Sequence, residues 1–174
     1  MRMKCAFVCR ELQVVWLALA CALPSMACGG KAKAAVIAVP VEPAPAVSPV
    51  ISSEILAREP VANTADIKHI LISWKDLEAE TGGRLDERAK KRTQKDAETV
   101  VTELLDKLKN GSDFDSLMKE WSEDEGSAAS GKVFTVEPSA QLVLAFRQLG
   151  LRLNVGEVGV CESQFGFHIM KRYR

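Results

Sequence analysis

The sequence predicts an α+β domain in which helices pack around a small sheet, and three observations carry that prediction. Two short runs, "IKHILISW" (67–74) and "FGFHIMKRY" (165–173), are apolar on both alternating faces, the pattern of strands covered on two sides. Between them Ala97, Val101, Leu104 and Leu108 recur at i, i+4, i+7 and i+11, one apolar stripe of a helix. Shorter patterns complete the order β-α-α-loop-β-α-β-β. The chain has two histidines, His69 and His168, and each lies inside one of the two-faced strands.

The N-terminus is read separately from this domain. Met1-Arg2-Met3-Lys4 and Arg10 make a basic start, and an apolar stretch follows from Leu12 to Leu23, interrupted by Gln13. As a helix it reaches about 18 Å, well short of the roughly 30 Å of a bilayer core. It therefore reads as the apolar part of a signal peptide, residues 1–27, and predicts export. "LPSMACGG" then leaves two readings open. Cleavage after Ala27 yields a soluble secreted chain; alternatively the stretch resembles a bacterial lipobox, with Cys28 the lipidated first residue and Ser25 where such signals usually carry Leu. Residues 28–60 hold five of the seven prolines and no aromatic residue. Proline fixes φ and removes backbone donors, so this reads as a semi-extended tether spanning on the order of 100 Å.

With the leader set aside, Cys28 and Cys161 are the cysteines left, and Cys161 alone falls in the domain, which supports neither a disulfide framework nor a zinc cluster. The remaining chain carries 20 basic and 22 acidic residues, no electrostatic footprint for nucleic acid.

Residues 61–174 form the predicted domain. After the strand at 67–74 and "ETGGR", a long helix is expected from about Leu85 to Asn110, closed by Asn110-Gly111. Ser112 or Asp113 then caps a short helix that turns Phe114, Leu117 and Trp121 inward. "SEDEGSAASG" reads as a polar loop, Lys132 to Thr135 as a short strand, and Pro138-Ser139 as the start of a helix presenting Leu142, Phe146 and Leu149. "VGEVGV" makes a turn and an edge before the final strand. Arg84, Arg88, Lys90, Lys91, Arg92 and Lys95, interleaved with Asp86, Glu87 and Asp96, read as a solvated helix face.

Four of these pieces, in order, resemble the parvulin-type (rotamase) peptidyl-prolyl cis-trans isomerases across almost all of 66–174. "IKHILISW" is similar to the family's opening strand, and "LKNGSDFDSLMKEWSED" to its G-x-x-F-x-x-L…S-x-D segment. "LVLAF" resembles its pocket pair, and "GEVGVCESQFGFHIMK" its closing hairpin with the second histidine. The resemblance implies a βα3βαβ2 order and a four-stranded, mainly antiparallel sheet surrounded by helices. Three positions depart from it. Ser130-Gly131-Lys132-Val133-Phe134 stands where the family commonly has Gly-Gly-x-Leu-Gly, so Phe134 replaces a small residue beside the groove. Leu142 stands for a common Met, and Ser163 for a threonine.

Rotation about a peptide C–N bond faces a barrier of about 18–20 kcal/mol, and X-Pro isomers exchange over tens to hundreds of seconds. Catalysis needs no nucleophile, metal or cofactor; it needs a site that favours a twisted amide over a planar one. The twisted form has less charge separation, so a dry apolar pocket penalises the planar form more. Each 1.4 kcal/mol of difference is worth about tenfold in rate. By resemblance Leu142 and Phe146, with Val133 and Phe134 beside them, hold the proline ring, and Asp124 faces the substrate carbonyl. His69 and His168 are expected to converge beneath that pocket and bond each other, with the tautomer fixed by a hydroxyl such as Ser163. Whether they shape the site and tune Asp124 or transfer a proton directly is left open. No third ligand for a metal is identifiable.

The function expected from the resemblance is isomerisation of X-Pro bonds in folding or unfolded exported polypeptides, in the cell envelope on the periplasmic side and anchored to a membrane through Cys28. The alternative is a catalytically weak peptide-binding chaperone module of the same fold, its groove blocked by Phe134.

Overall fold

The structure is a computed structural model that describes residues 47–174. Eight-residue β1 (Ala65–Ile72) lies at the sheet centre beside β4 (Gly166–Arg172), flanked by β2 (Phe134–Val136) and β3 (Val158–Ser163). The order is β2-β1-β4-β3 and every pairing is antiparallel. Five helices surround the sheet: α1 (Ser53–Leu56), α2 (Gln94–Lys109), α3 (Phe114–Trp121), α4 (Glu125–Ser130) and α5 (Leu144–Gly150). The α+β architecture expected from the sequence is the one found.

Period-two alternation divides the apolar residues between two cores. Ile70, Ile72, Phe167 and Ile169 point to one face, where they meet Val101 and Leu104 of α2 and Phe114, Leu117 and Met118 of α3. Ala65, Ile67 and Met170 point to the other, against Phe146 and Leu149 of α5 and Ile55 of α1. The two-faced runs are thus central strands because each face has its own helical cover.

The helix starts differ from the sequence expectation, each for a local reason. α2 begins at Gln94 rather than near Leu85. The Thr93 hydroxyl accepts from Asp96 N–H at 3.2 Å while the Asp96 carboxylate accepts from Thr93 N–H at 2.8 Å, a reciprocal capping box. The preceding Arg92 is extended, and residues 75–92 hold two short 3₁₀ turns, Lys75–Leu77 and Ala89–Lys91. Of the two candidate caps for α3, Asp113 is used, accepting from Ser116 N–H at 2.8 Å. The stretch read as a polar loop contains α4, and β2 lies at 134–136 rather than 132–135. Pro138 does not open a helix. It follows Glu137 in a turn closed by Ala140 N–H donating to Glu137 C=O at 3.1 Å, a place its fixed φ suits, and α5 starts six residues later at Leu144.

Residues 47–60 lie against the domain although the sequence places them in the tether. Ser52 N–H donates to Val160 C=O at 3.0 Å, and Val160 N–H donates to the Ser52 hydroxyl at 2.9 Å. Ile55 is buried in the α5-side core, and Arg58 pairs with Glu157 at 2.8 Å. The expected signal peptide, most of the tether and Cys28 lie outside the described residues.

Candidate active site

The register of β1 against β4 sets the site. His69 lies opposite Met170 and Leu71 opposite His168, so the two imidazoles are diagonal neighbours on the α5-side face. Both are buried, and their Nδ1 atoms stand 3.1 Å apart. His69 Nε2 lies 3.0 Å from Asp124 Oδ2, and His168 Nε2 lies 2.7 Å from the Ser163 hydroxyl. Phe165 N–H donates to that hydroxyl at 3.1 Å. The structure therefore brings together His69, His168, Asp124 and Ser163, the four polar residues singled out in the sequence.

With both imidazoles neutral, one proton arrangement satisfies every contact. An ionised Asp124 only accepts, so His69 Nε2–H donates to it and His69 Nδ1 must accept. His168 Nδ1–H is then the donor between the rings, and His168 Nε2 accepts from Ser163 O–H. The chain of bonds runs one way, from Phe165 N–H through Ser163, His168 and His69 to Asp124. The bond from His69 holds the Asp124 carboxyl well below the usual carboxylate range, against the opposing effect of partial burial. Burial pushes His168 down to about 3, which keeps that ring neutral.

Aromatic rings close the imidazoles in from one side. The Phe146 ring stands edge-on to His69 at 5.3 Å and to His168 at 5.6 Å. Phe134, on the strand beside β1, stands edge-on to His69 at 5.1 Å and lies 5.6 Å from Phe146. Lys132 Nζ lies 4.5 Å from the centre of the Phe134 ring, a cation over its face. Two expected pocket residues sit less centrally. Leu142 precedes α5 and is half-buried at the margin of the core, because the Pro138 turn delays the helix; Val133 is 45% exposed.

A cavity of about 310 Å³ opens over the imidazoles, lined by His69, Leu71, Thr81, Arg84, Glu123, Asp124, Phe165 and His168. Ser127 was not identified in the sequence. Its hydroxyl lies 3.3 Å from His69 Nε2, and its N–H donates to Asp124 Oδ1 at 3.3 Å, so Asp124 caps α4 while holding His69. The spacing Asp124-x-x-Ser127 is the signal, but it is also that of an ordinary helix cap. The basic stretch is not uniformly solvated: Arg92 is 13% exposed and paired with Glu123, and Arg88 pairs with Asp86 at 3.0 Å. Among the described residues, no three His, Cys, Asp or Glu side chains converge as a metal-binding set.

The chain is similar to known proteins in sequence and in fold. The PPIC-type PPIASE domain matches residues 53–173. The chain is similar to Foldase protein PrsA 3 of Bacillus anthracis, 36% identical over 75 residues, 42% of this chain and 26% of the relative. It is also similar to Chaperone SurA of Pseudomonas aeruginosa, 37% identical over 113 residues, 64% of this chain and 24% of the relative. The chain thus spans about a quarter of the length of these curated relatives. In fold it is similar to the solved structure of peptidyl-prolyl isomerase ESS1 from Candida albicans, with a TM-score of 0.53 and 19% identity, covering 64% of this chain and 63% of that one.

Proposed function

Because the chain belongs to the PPIC-type PPIase domain family, of the parvulin rotamase kind and related to the PrsA and SurA proteins, we propose that it isomerises X-Pro bonds in polypeptides that are unfolded or still folding. The observation that carries this reading is the directed chain Ser163–His168–His69–Asp124, ending in a carboxylate that is 34% exposed at the mouth of a cavity. The buried part of the chain has its hydrogen bonds satisfied, and its carboxylate end opens toward the cavity.

A planar prolyl amide carries partial negative charge on its carbonyl oxygen and partial positive charge on nitrogen. An anionic Asp124 close to that oxygen disfavours the charge-separated form, and low-polarity surroundings do the same for the whole amide. Phe146, Phe134 and Leu142, which lie on the α5 side of the imidazoles and not in the lining of this cavity, are the apolar groups assigned to that part. Both effects act on the planar ground state and lessen as the bond twists, which is the difference that accelerates rotation. The histidines orient Asp124 and keep it ionised. Proton transfer has no place in this scheme, because no covalent bond forms or breaks. Val133, exposed and next to Phe134 in the chain, is assigned to residues flanking the proline.

A second reading has an observation in its favour. Phe134 fills space against His69 and Phe146, and a blocked cradle would leave a peptide-binding chaperone of the same fold. A protease-coupled assay on an Ala-Pro peptide separates the two. Isomerase activity predicts turnover that falls about a hundredfold in Phe146→Ala, and that survives or rises in Phe134→Gly. Peptide binding without turnover in the parent chain would refute the enzyme and leave the chaperone.

We further propose export to the periplasmic side of the cell envelope, with residues 1–27 removed and Cys28 lipidated, so that residues following it lift the domain off a membrane. Radiolabelled palmitate incorporation that is lost in Cys28→Ala supports the anchor; no incorporation into the parent chain refutes it.

A further inference from the structure

We infer that Glu123, held by Arg92 and Ser73, is a positioning residue that keeps Asp124 within hydrogen-bonding distance of His69. This rests on the site reading above and adds to it three residues, Glu123, Arg92 and Ser73, that act through Asp124. The Glu123 side chain is 2% exposed and Arg92 13%. One Glu123 carboxylate oxygen accepts from the Arg92 guanidinium, and the other accepts from Ser73 N–H at 2.7 Å. The Glu123 backbone N–H donates to Leu71 C=O at 2.9 Å, and the Ser122 hydroxyl accepts from Leu71 N–H at 3.1 Å. The two residues before Asp124 are therefore tied at three points, two at Leu71, only two residues past His69, and one at Ser73, just beyond the end of β1. On its other side Asp124 is fixed by its own cap on α4.

Ser73 links this arrangement to the far end of the proton chain. It is 3% exposed, and its hydroxyl donates to Phe165 C=O at 2.7 Å, while Phe165 N–H donates to Ser163. One residue thus ties both the acid loop and the β3–β4 turn to β1. Burying an ion pair is weak evidence for stability, since taking two charges out of water costs several kcal/mol that their attraction only partly returns. A buried pair beside the one exposed carboxylate of the site is accounted for by geometry: an error of about 1 Å at such a group can cost up to a hundredfold in rate.

The test is the Glu123→Gln variant of the full chain, read in two ways. Nitrogen-15 spectra of the imidazoles report the tautomers directly. The clamp predicts that His69 loses its fixed Nε2–H form and averages between tautomers, and that kcat on an X-Pro peptide falls about tenfold with KM unchanged. A folded variant that keeps the parent imidazole spectrum overturns the inference, because a purely structural role would lower stability and leave the tautomers alone. If Glu123→Gln does not fold, Arg92→Lys keeps the charge, loses the planar fork and is judged by the same spectrum. The spectrum needs no turnover, so failure of the clamp and failure of the isomerase reading are distinguishable.

Discussion

His168 shows how much one buried side chain can set. Its neutral form donates to His69 and accepts from Ser163, and burial holds it uncharged down to about pH 3. In the unfolded chain a histidine titrates near 6.5. Between those values the unfolded state binds a proton that the folded state refuses, so stability rises with pH across the window. It is fully present above about 6.5 and is lost progressively as pH falls toward 3. Asp124 acts in the same direction at lower pH, its depressed folded value giving stability that disappears as the carboxylate protonates. Urea midpoints measured from pH 7 to pH 4 should fall steadily, and His168→Gln should flatten the slope across that range. An unchanged slope in the variant would assign the pH dependence to other groups. The two histidines were legible in the sequence because a polar, titratable ring inside a two-faced apolar strand needs a buried partner, and each is the other's partner across the β1–β4 pair. Ser127 was not legible, because a serine three residues after an aspartate is most often just a cap.

At the scale of the element, what sequence reading recovers is the face rather than the end. The stripe Ala97, Val101, Leu104 was readable because packing fixes it, and all three are buried as expected. The start of α2 was not, because residues 85–92 are rich in helix-compatible Arg, Lys, Glu and Ala yet Thr93 takes a β-region conformation, φ −83° and ψ 170°. Local hydrogen bonding outcompeted propensity there. Thr93→Ala removes the cap acceptor and leaves Asp96 N–H without it, a loss of about 1 kcal/mol expected from helix caps elsewhere. Thr93→Ser should recover most of that. Chemical denaturation of the two variants checks both, and equal stability of Thr93→Ala and parent would mean the capping box contributes nothing. The same limit displaced Leu142: a turn at Pro138 shifts the helix by six residues, and no apolar period reports that. The closing hairpin is constrained differently. Gly166 has φ +131°, and a Cβ there would stand 2.5 Å from Ile72 C=O, so the turn that carries Ser163 and Phe165 sits directly on the end of β1.

The whole molecule divides its sheet between two helical covers, and its outer edges meet different fates. β2, three residues long, leaves Thr135 exposed, whereas the β3 edge is met by chain that the sequence assigns to the tether. Composition could not locate that boundary, because Ser52, Ile55 and Arg58 stand in a stretch whose prolines suggest an extended spacer. Their partners, Val160 and Glu157, are about a hundred positions away, and pairing over such separations leaves no periodic trace. Removing residues 47–60 would uncover Gly159 and Leu149, which an added Cβ at Gly159 would meet together with Ile55 at 3.2 Å. It would also take away the buried Ile55 side chain, worth about 1.5–3 kcal/mol by area, and both hydrogen bonds between Ser52 and Val160. A chain beginning at Val61 should therefore unfold at a lower urea concentration than one beginning at Val47, by more than any single-residue variant above. Ser52→Ala in the longer chain should reproduce a small part of the loss, since Val160 N–H would lose its acceptor. Equal midpoints for the two chains would show that residues 47–60 rest on the domain without stabilising it, and would return them to the spacer that their prolines describe.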